Sequence, residues 1–316
     1  MTVGPLRVVD AGTDLAAWVE VHNRVSPTAV SVEEVRAYRE ALEDATHLLA
    51  LRDDRPVGAA AAELEPGQRL RGTTLAWIGV PVEARGQGVG SALLHEVSSW
   101  AGAAGLEALE GHVLADDDGT LAWAARRGFA EIGRELRLAL ELRDLRPPDV
   151  TPPAGVEVAT LASRPDLAPA VYEVAREAYP DIPGEEESEM EPYEDWLAHD
   201  MSGPNDDPEG VFLAVAGGEV IGYSKFHLPQ ARLGVAVHDL TGVKRAWRGR
   251  GVAGALKRAQ IAWAKERGYE RLETWNEERN APIRKLNERL GYRPASGQVL
   301  LRGPLFHSGG NVLQSD

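Results

Sequence analysis

Apolar residues fall along this chain in short runs that stop at turn-forming residues, and the whole succession occurs twice. Residues 6–9 and 156–158 predict opening strands, followed by helices over 14–23 and 166–178. Strands over 48–52 and 211–216 turn at Asp53-Asp54 and Gly217-Gly218 into hairpin partners over 56–64 and 220–227. Further strands over 74–80 and 235–243 run into glycine-rich turns. Beyond the turns, Leu93, Leu94, Val97 and Trp100, and likewise Ala255, Leu256, Ala259 and Trp263, recur at three- and four-residue spacing. That spacing predicts helices over 90–104 and 253–267, with Gly105 and Gly268 where a helix C-terminus favours glycine. Strands over 106–113 and 269–276 and short helices over 119–127 and 281–290 complete each copy.

The pattern predicts an α+β fold of two mixed α/β domains, each a mostly antiparallel sheet flanked by helices. Over some fifty residues the second copy follows the first at a constant offset of 163 residues, without a gap. Trp100 matches Trp263, Gly105 matches Gly268, Glu110 matches Glu273, Gly128 matches Gly291 and Phe129 matches Tyr292. A register of that length marks two copies of one fold. The expected boundaries are 1–145 and 155–316, joined by a linker over 146–154 that Pro147, Pro148, Pro152 and Pro153 stiffen.

Composition narrows the setting. A chain of 316 residues suits two domains, each able to bury its own core. The absence of cysteine excludes disulfides, thiolate metal sites and cysteine nucleophiles, and suits a reducing cytoplasm. The first residues lack the regions of a signal peptide, and no apolar run approaches a membrane span. A cytoplasmic protein without membrane partners is therefore expected. The net charge of −15 argues against nucleic acid, which needs basic surface. The eight histidines show no ligand spacing, so no metal site is expected.

The candidate chemistry lies in the two turns, Arg85-Gly86-Gln87-Gly88-Val89-Gly90 and Arg248-Gly249-Arg250-Gly251-Val252-Ala253. A helix N-terminus presents unpaired N–H groups and a partial positive charge. Glycines let the backbone approach a pyrophosphate, and the arginine adds a fixed cation. Walker-type binding requires Gly-Lys-Ser/Thr, which neither copy has. A dinucleotide site is the rival, since Gly249, Gly251 and Gly254 spell G-x-G-x-x-G and Glu270 or Glu273 follows downstream. Against it, five residues separate Val243 from Gly249, and Ser91 holds the third glycine position in the first copy.

Arg-x-x-Gly-x-Gly/Ala after a strand ending in Gly-Val, followed about forty residues later by a helix closing in Gly-Phe/Tyr, resembles the GNAT superfamily of acetyl-CoA-dependent N-acetyltransferases. Both halves carry the resemblance, as in tandem members such as mycothiol synthase. It implies acetyl-CoA as co-substrate and a small-molecule amine as acceptor. It implies that the amides of Gly88, Val89 and Gly90, and of Gly251, Val252 and Ala253, hold the pyrophosphate, flanked by Arg85, Gly86 and Gln87 and by Arg248, Gly249 and Arg250. Val80 and Val82, with Val243 and Arg245, would bind the pantetheine arm through backbone groups. Asn280 matches an asparagine the family commonly places near the cofactor. The family's tyrosine acid, four residues before the Gly-Phe glycine, is replaced by Ala124 and Asn287.

The copies differ where an acceptor would sit. The second glycine turn is preceded by His238 and Asp239, the first by Leu75 and Ala76. With Asn287, these are the candidate catalytic residues. His238 has an ordinary pKa suited to a base, or it is a strand histidine without a role. Asp239 is equally readable as a solvated or structural carboxylate. The C-terminal half is expected to be catalytic and the N-terminal half to bind cofactor weakly or be structural. The segment 181–210 contains no lysine or arginine and carries Asp181, Glu185, Glu186, Glu187, Glu189, Glu191, Glu194, Asp195, Asp200, Asp206, Asp207 and Glu209. It reads either as a solvated acidic loop or as a field that draws a cationic amine. The different-class alternatives are a non-catalytic acyl-CoA-binding module and transfer of another acyl group. The pair of copies suits a monomer that is a pseudo-dimer, or a homodimer.

Overall fold

The computed structural model describes residues 4–12, 14–42, 44–64, 72–183 and 190–306. The chain forms two compact units, one of residues 1–133 with 299–316 and one of residues 134–298.

The first unit contains β1 (Leu6–Asp10), α1 (Leu15–Val25), α2 (Val32–Ala41), β2 (Asp44–Arg52), β3 (Arg55–Leu64), β4 (Thr73–Gly79), α3 (Val89–Ala103), β5 (Ala108–Leu114) and α4 (Asp118–Ala125). The chain continues through β6 (Ala130–Glu141), most of which belongs to the second unit. That unit holds β7 (Val156–Thr160), α5 (Ala168–Ala178), α6 (Tyr193–His199), β8 (Val211–Ala216), β9 (Glu219–His227), β10 (Val235–Val243), α7 (Val252–Glu266), β11 (Arg271–Glu277) and α8 (Ala281–Arg289). The last strand, β12 (Arg293–Pro304), ends in the first unit.

Strand order in the first unit is β1-β2-β3-β4-β5 with the end of β12 beside β5; in the second it is β6-β11-β10-β9-β8-β7. Of the pairs with a described register, β4 with β5 and β10 with β11 are parallel, each joined through one α-helix, and the rest are antiparallel. Alternation along the strands serves both faces. In the first unit, Leu48, Ala50, Ala60 and Ala62 pack with Leu93, Leu94 and Val97 of α3. Leu49, Ala59 and Ala61 pack with Trp18, Val19 and Val21 of α1. In the second, α5 covers Leu213, Val215 and Tyr223, and α7 covers Phe212, Ala214 and Ile221. Among the described residues no helix is long and apolar enough to cross a membrane.

The units do not coincide with the boundaries drawn at 145 and 155. β6 pairs with β11 from Arg271↔Glu141 to Glu277↔Glu135, so sequence from the first copy completes the second sheet. The chain's end completes the first: Phe306 N–H donates to Ser98 Oγ at 2.9 Å, and Arg302 Nε to Glu110 Oε1 at 2.7 Å. The ladder joins backbone to backbone, and a local pattern does not say which edge a strand will cover. Neither these strands nor α2 and α6 is in the predicted set. α2 did leave a signature, a capping box in which Glu34 N–H donates to Ser31 Oγ at 3.1 Å and Glu34 accepts from Ser31 N–H.

Two glycines test the placement of the last strand. A Cβ on Gly303 would overlap the ring of Phe129, whereas one on Gly102, inside α3, would meet only Leu305 at 3.4 Å. Chemical denaturation of Gly303→Ala is expected to show a loss of about 1–3 kcal/mol from overpacking. Gly102→Ala is expected to gain about 0.5–1 kcal/mol through helix propensity.

Candidate active site

Both glycine turns are built alike. α3 starts on Gly88 (φ 82°) and α7 on Gly251 (φ 89°), with Gly86 (φ 72°) and Gly249 (φ 73°) also left-handed. A side chain is strained at such positions, which is why glycine stands there. No side chain caps either helix, and the first intrahelical bonds are Ala92 N–H to Gly88 O and Ala255 N–H to Gly251 O, both 3.0 Å. The amides of the preceding residues therefore remain open to an anion. Arg85 Nε donates to Val80 O at 3.1 Å and Arg248 Nε to Val243 O at 2.9 Å, so each arginine ties its turn to the strand before it. In the second unit Asp181 also clamps Arg245 (2.8 and 2.9 Å) and Arg248 (2.7 Å). Hydrogen bonds from Arg245 foremost hold its carboxyl down to about 2. The backbone N–H of Arg245 is taken by Glu177. Val82 is exposed, and Arg250 lies over the Trp247 ring at 5.1 Å.

The strands leading to the turns differ. β4 pairs with β3 in unbroken register from Ala59↔Gly79 to Glu63↔Leu75. β10 pairs with β9 at Val237 and His238, slips, and resumes at Thr241↔Ser224. The bulge throws Asp239 and Leu240 out of the ladder. β10 pairs with β11 only from Val235↔Arg271 to His238↔Thr274, so the slip falls where that parallel ladder ends.

His238 lies in the core, 3% exposed. Its Nδ1 is 3.0 Å from Gln260 Oε1, and its Nε2 meets the Tyr292 hydroxyl. Ser224 Oγ donates to the same Gln260 oxygen at 2.5 Å and bonds Thr241 Oγ1 at 2.8 Å. This pattern fits a neutral ring with Nδ1–H donating and Nε2 accepting. Burial, then the charge of Lys257, pushes His238 well below 6.5, against the bond to Gln260. Its lone pair is committed, so the base anticipated at His238 is not free to take a proton from an acceptor. Asn287 is also fully buried, its Nδ2 donating to Asn276 Oδ1 at 2.8 Å while its own Oδ1 has no partner. Asn280 caps α8 without a side-chain bond.

Asp239 is brought instead to Lys225, a lysine 3% exposed within β9. Lys225 Nζ lies 3.1 Å from Asp239 Oδ2, 3.1 Å from Asp206 Oδ1 and 3.2 Å from Asp200 Oδ1. Burial acts to lower the Lys225 pKa, but Asp239, Asp200 and Asp206 outweigh it and hold it above its ordinary value. Asp200 is pushed up to about 7 by burial and then by Asp239, against the pull of Lys225. The Tyr223 hydroxyl beside them is fully buried and has no partner. By ladder position, Ala59, Ala60 and Ala61 stand in the first unit where Tyr223, Ser224 and Lys225 stand in the second. The space over Ala59 and Ala61 is filled by rings, with Trp18 4.9 Å from His47, 5.4 Å from Trp77 and 5.1 Å from His22, while Ala60 faces α3.

These features agree with the comparisons. The acetyltransferase (GNAT) family matches residues 15–129 and 168–292. The chain belongs to this family. It is 28% identical over 307 residues to a mycothiol acetyltransferase of Catenulispora acidiphila, covering 92% of this chain and 83% of that protein. A mycothiol acetyltransferase of Nocardiopsis dassonvillei is 27% identical over 295 residues, covering 81% of each. In fold it is similar to a GCN5-related N-acetyltransferase from Sphaerobacter thermophilus (TM-score 0.76, 23% identity, 96% of this chain and 98% of that one). It is equally similar to a tandem GNAT protein of the clavulanic acid pathway (TM-score 0.76, 21% identity, 96% and 100%).

Membership of the GNAT family replaces the dinucleotide reading, and of the two acids that reading could use, Glu270 and Glu273, the second is enclosed. It is 1% exposed and held by Arg232 and Arg271 at 2.8 Å, so it is not available to a ribose. Much of the acidic segment is also spoken for: Asp181, Glu191, Asp200, Asp206 and Glu209 have cationic or histidine partners. Glu185, Glu186, Glu187 and Glu189 lie outside the described residues. The residues missed from sequence are Lys225 and Tyr223. Lys225 left a signal, a lysine inside a strand whose neighbours Tyr223 and Phe226 favour burial.

Lys257 gives a test of the buried network. It is 1% exposed with its ammonium 5.7 Å from the Tyr292 ring, and burial lowers its pKa to about 7 from an ordinary 10.5. The folded state therefore binds fewer protons than the unfolded state across that window, and stability falls as pH drops from 10.5 towards 7. Thermal melts of Lys257→Met are expected to show a gain of several degrees over wild type at pH 7.5 that shrinks towards zero by pH 10.

Proposed function

We propose that the chain transfers the acetyl group of acetyl-CoA to a primary amine of a small, cationic molecule, and that the second unit carries the reaction. One contrast carries this reading. The two units have equivalent glycine cradles, but only in the second does the strand before the cradle bulge beside carboxylates. In the first, that strand runs straight and aromatic rings occupy the space.

The amides of Val252 and Ala253, with Arg248 over the turn, fit a pyrophosphate, and Arg250 flanks it. Acetyl-CoA supplies an activated acyl group as a thioester. The interrupted β10 ladder leaves backbone groups at 239–240 unpaired with β9, as a pantetheine arm or a developing oxyanion requires. An amine attacks only when unprotonated, and the half-exposed Asp239 at the bulge belongs to the group of carboxylates on Lys225 that can receive its proton. His238 keeps the bulge in place through Gln260 and Tyr292 rather than reacting. The first unit can hold a second cofactor molecule or serve as scaffold.

Thiol release from acetyl-CoA over a panel of amines tests the reading. Gly251→Val with Arg248→Ala is expected to lower kcat/KM for acetyl-CoA at least tenfold, about 1.4 kcal/mol or more. Gly88→Val with Arg85→Ala is expected to leave it within about twofold. Equal losses would place chemistry in both units. Cofactor binding without turnover on any amine would point to a non-catalytic acyl-CoA-binding module.

A further inference from the structure

The Lys225 cluster carries information about the acceptor, given that the second unit is the catalytic one. Three carboxylates surround one ammonium group, which leaves two negative charges uncompensated within the cluster. They are not equivalent. Asp206 is 7% exposed, with one oxygen on Lys225 and the other accepting from Gly203 N–H at 2.8 Å, so it is saturated and structural. Asp200 and Asp239 each place one oxygen on Lys225 and remain 38% and 42% exposed. Their second oxygens have the capacity to accept from an incoming N–H. Near both, the buried Tyr223 hydroxyl has no partner, where a lone hydroxyl is costly. The aromatic residues Tyr172, Tyr193 and Trp196 pack together along the helix that ends at Asp200, Tyr172 and Trp196 at 5.4 Å.

We infer that Asp200 and Asp239, braced by Lys225, select an acceptor whose amine arrives as an ammonium ion with no carboxylate on the neighbouring carbon, and that Asp200 takes its proton. Among the described residues, the cation at this cluster is Lys225, which three carboxylates already enclose and which has no place for a further one. An α-amino acid would bring its own negative charge within a few ångströms of Asp200 and Asp239. At an effective dielectric constant near 20, that repulsion disfavours the acid. An amino amide, amino sugar or simple alkylamine brings none. The proton balance follows: the ammonium gives one proton to the Asp200 carboxylate, and the freed lone pair forms the C–N bond. The C–S bond breaks with its electron pair on sulfur, and the thiolate takes up the further proton that nitrogen loses as the amide forms. The groups facing Asp200 are Lys225 and Tyr223 from β9, Asp239 from β10 and Asp206 from the loop after α6.

Matched probes test this with the full-length chain: L-alaninamide against L-alanine, and L-phenylalaninamide against L-phenylalanine. Calorimetric titration with CoA present is expected to favour each amide over its acid at least about tenfold. Asp239→Asn and Asp200→Asn, with melting temperatures checked for folding, are expected to reduce that ratio. In turnover, kcat/KM for the amide is expected to rise with pH through about 7 in wild type, and Asp200→Asn to lose that limb. Acids bound as well as amides, no binding of either amide, or an unchanged pH profile in Asp200→Asn would overturn the inference. Amide-selective binding without any thiol release would uphold the selection and overturn the acetyl-transfer reading instead.

Discussion

A parallel strand pair joined by a single helix is the constraint on which each unit depends. The chain leaves β4 or β10, makes a tight turn, and must start a helix at once so that the helix lies back over the sheet. Only glycine adopts the left-handed conformation of that turn without strain, so Gly88 and Gly251 open α3 and α7 with nothing to cap them. The same geometry sets uncapped amides at the carboxyl end of the strand, where the parallel ladder with β5 or β11 has already ended. The uncapped amides and the end of the parallel ladder arise together from one turn.

Duplication preserved this constraint and relaxed the rest. Small side chains at Ala59 and Ala61 let the first unit fill that face with Trp18, His22, His47 and Trp77. At the same ladder positions of the second unit, Lys225 bonds to Asp200, Asp206 and Asp239, Ser224 bonds to Gln260 and Thr241, and the Tyr223 hydroxyl is left without a partner. A buried lysine without its carboxylates would be expensive, and so would those carboxylates without the lysine. The cluster therefore stands or falls as a set. Buried charge recurs in this unit, since Glu273 is enclosed by arginines and Lys257 sits under Tyr292 with its ammonium form disfavoured.

Most of the fold was legible because amphipathic periodicity and turn chemistry are local. The strands and helices flanking the glycine turns follow from spacing alone, and the turns follow from glycine at fixed offsets. β6 and β12 were not legible, because their placement depends on which sheet edge is uncovered. Within the candidate site, Gly249 and Gly251 are left-handed and Arg248 bonds back to the strand before the turn. His238 and Asp239, adjacent in sequence, part company: a bulge sends one to the core and the other to Lys225.

By itself the sequence determined that two copies of one α+β unit exist, that each opens a helix on an uncapped glycine turn, and that their acceptor-side residues diverge. These are statements about near neighbours along the chain, where backbone sterics and side-chain period act directly. Tertiary structure alone decided that the copies exchange their closing strands, that His238 spends its lone pair on Tyr292, and that three aspartates from different segments meet one lysine. Each of those outcomes joins residues far apart in sequence, and depends on which polar groups are left in need of a partner once the apolar faces have been buried.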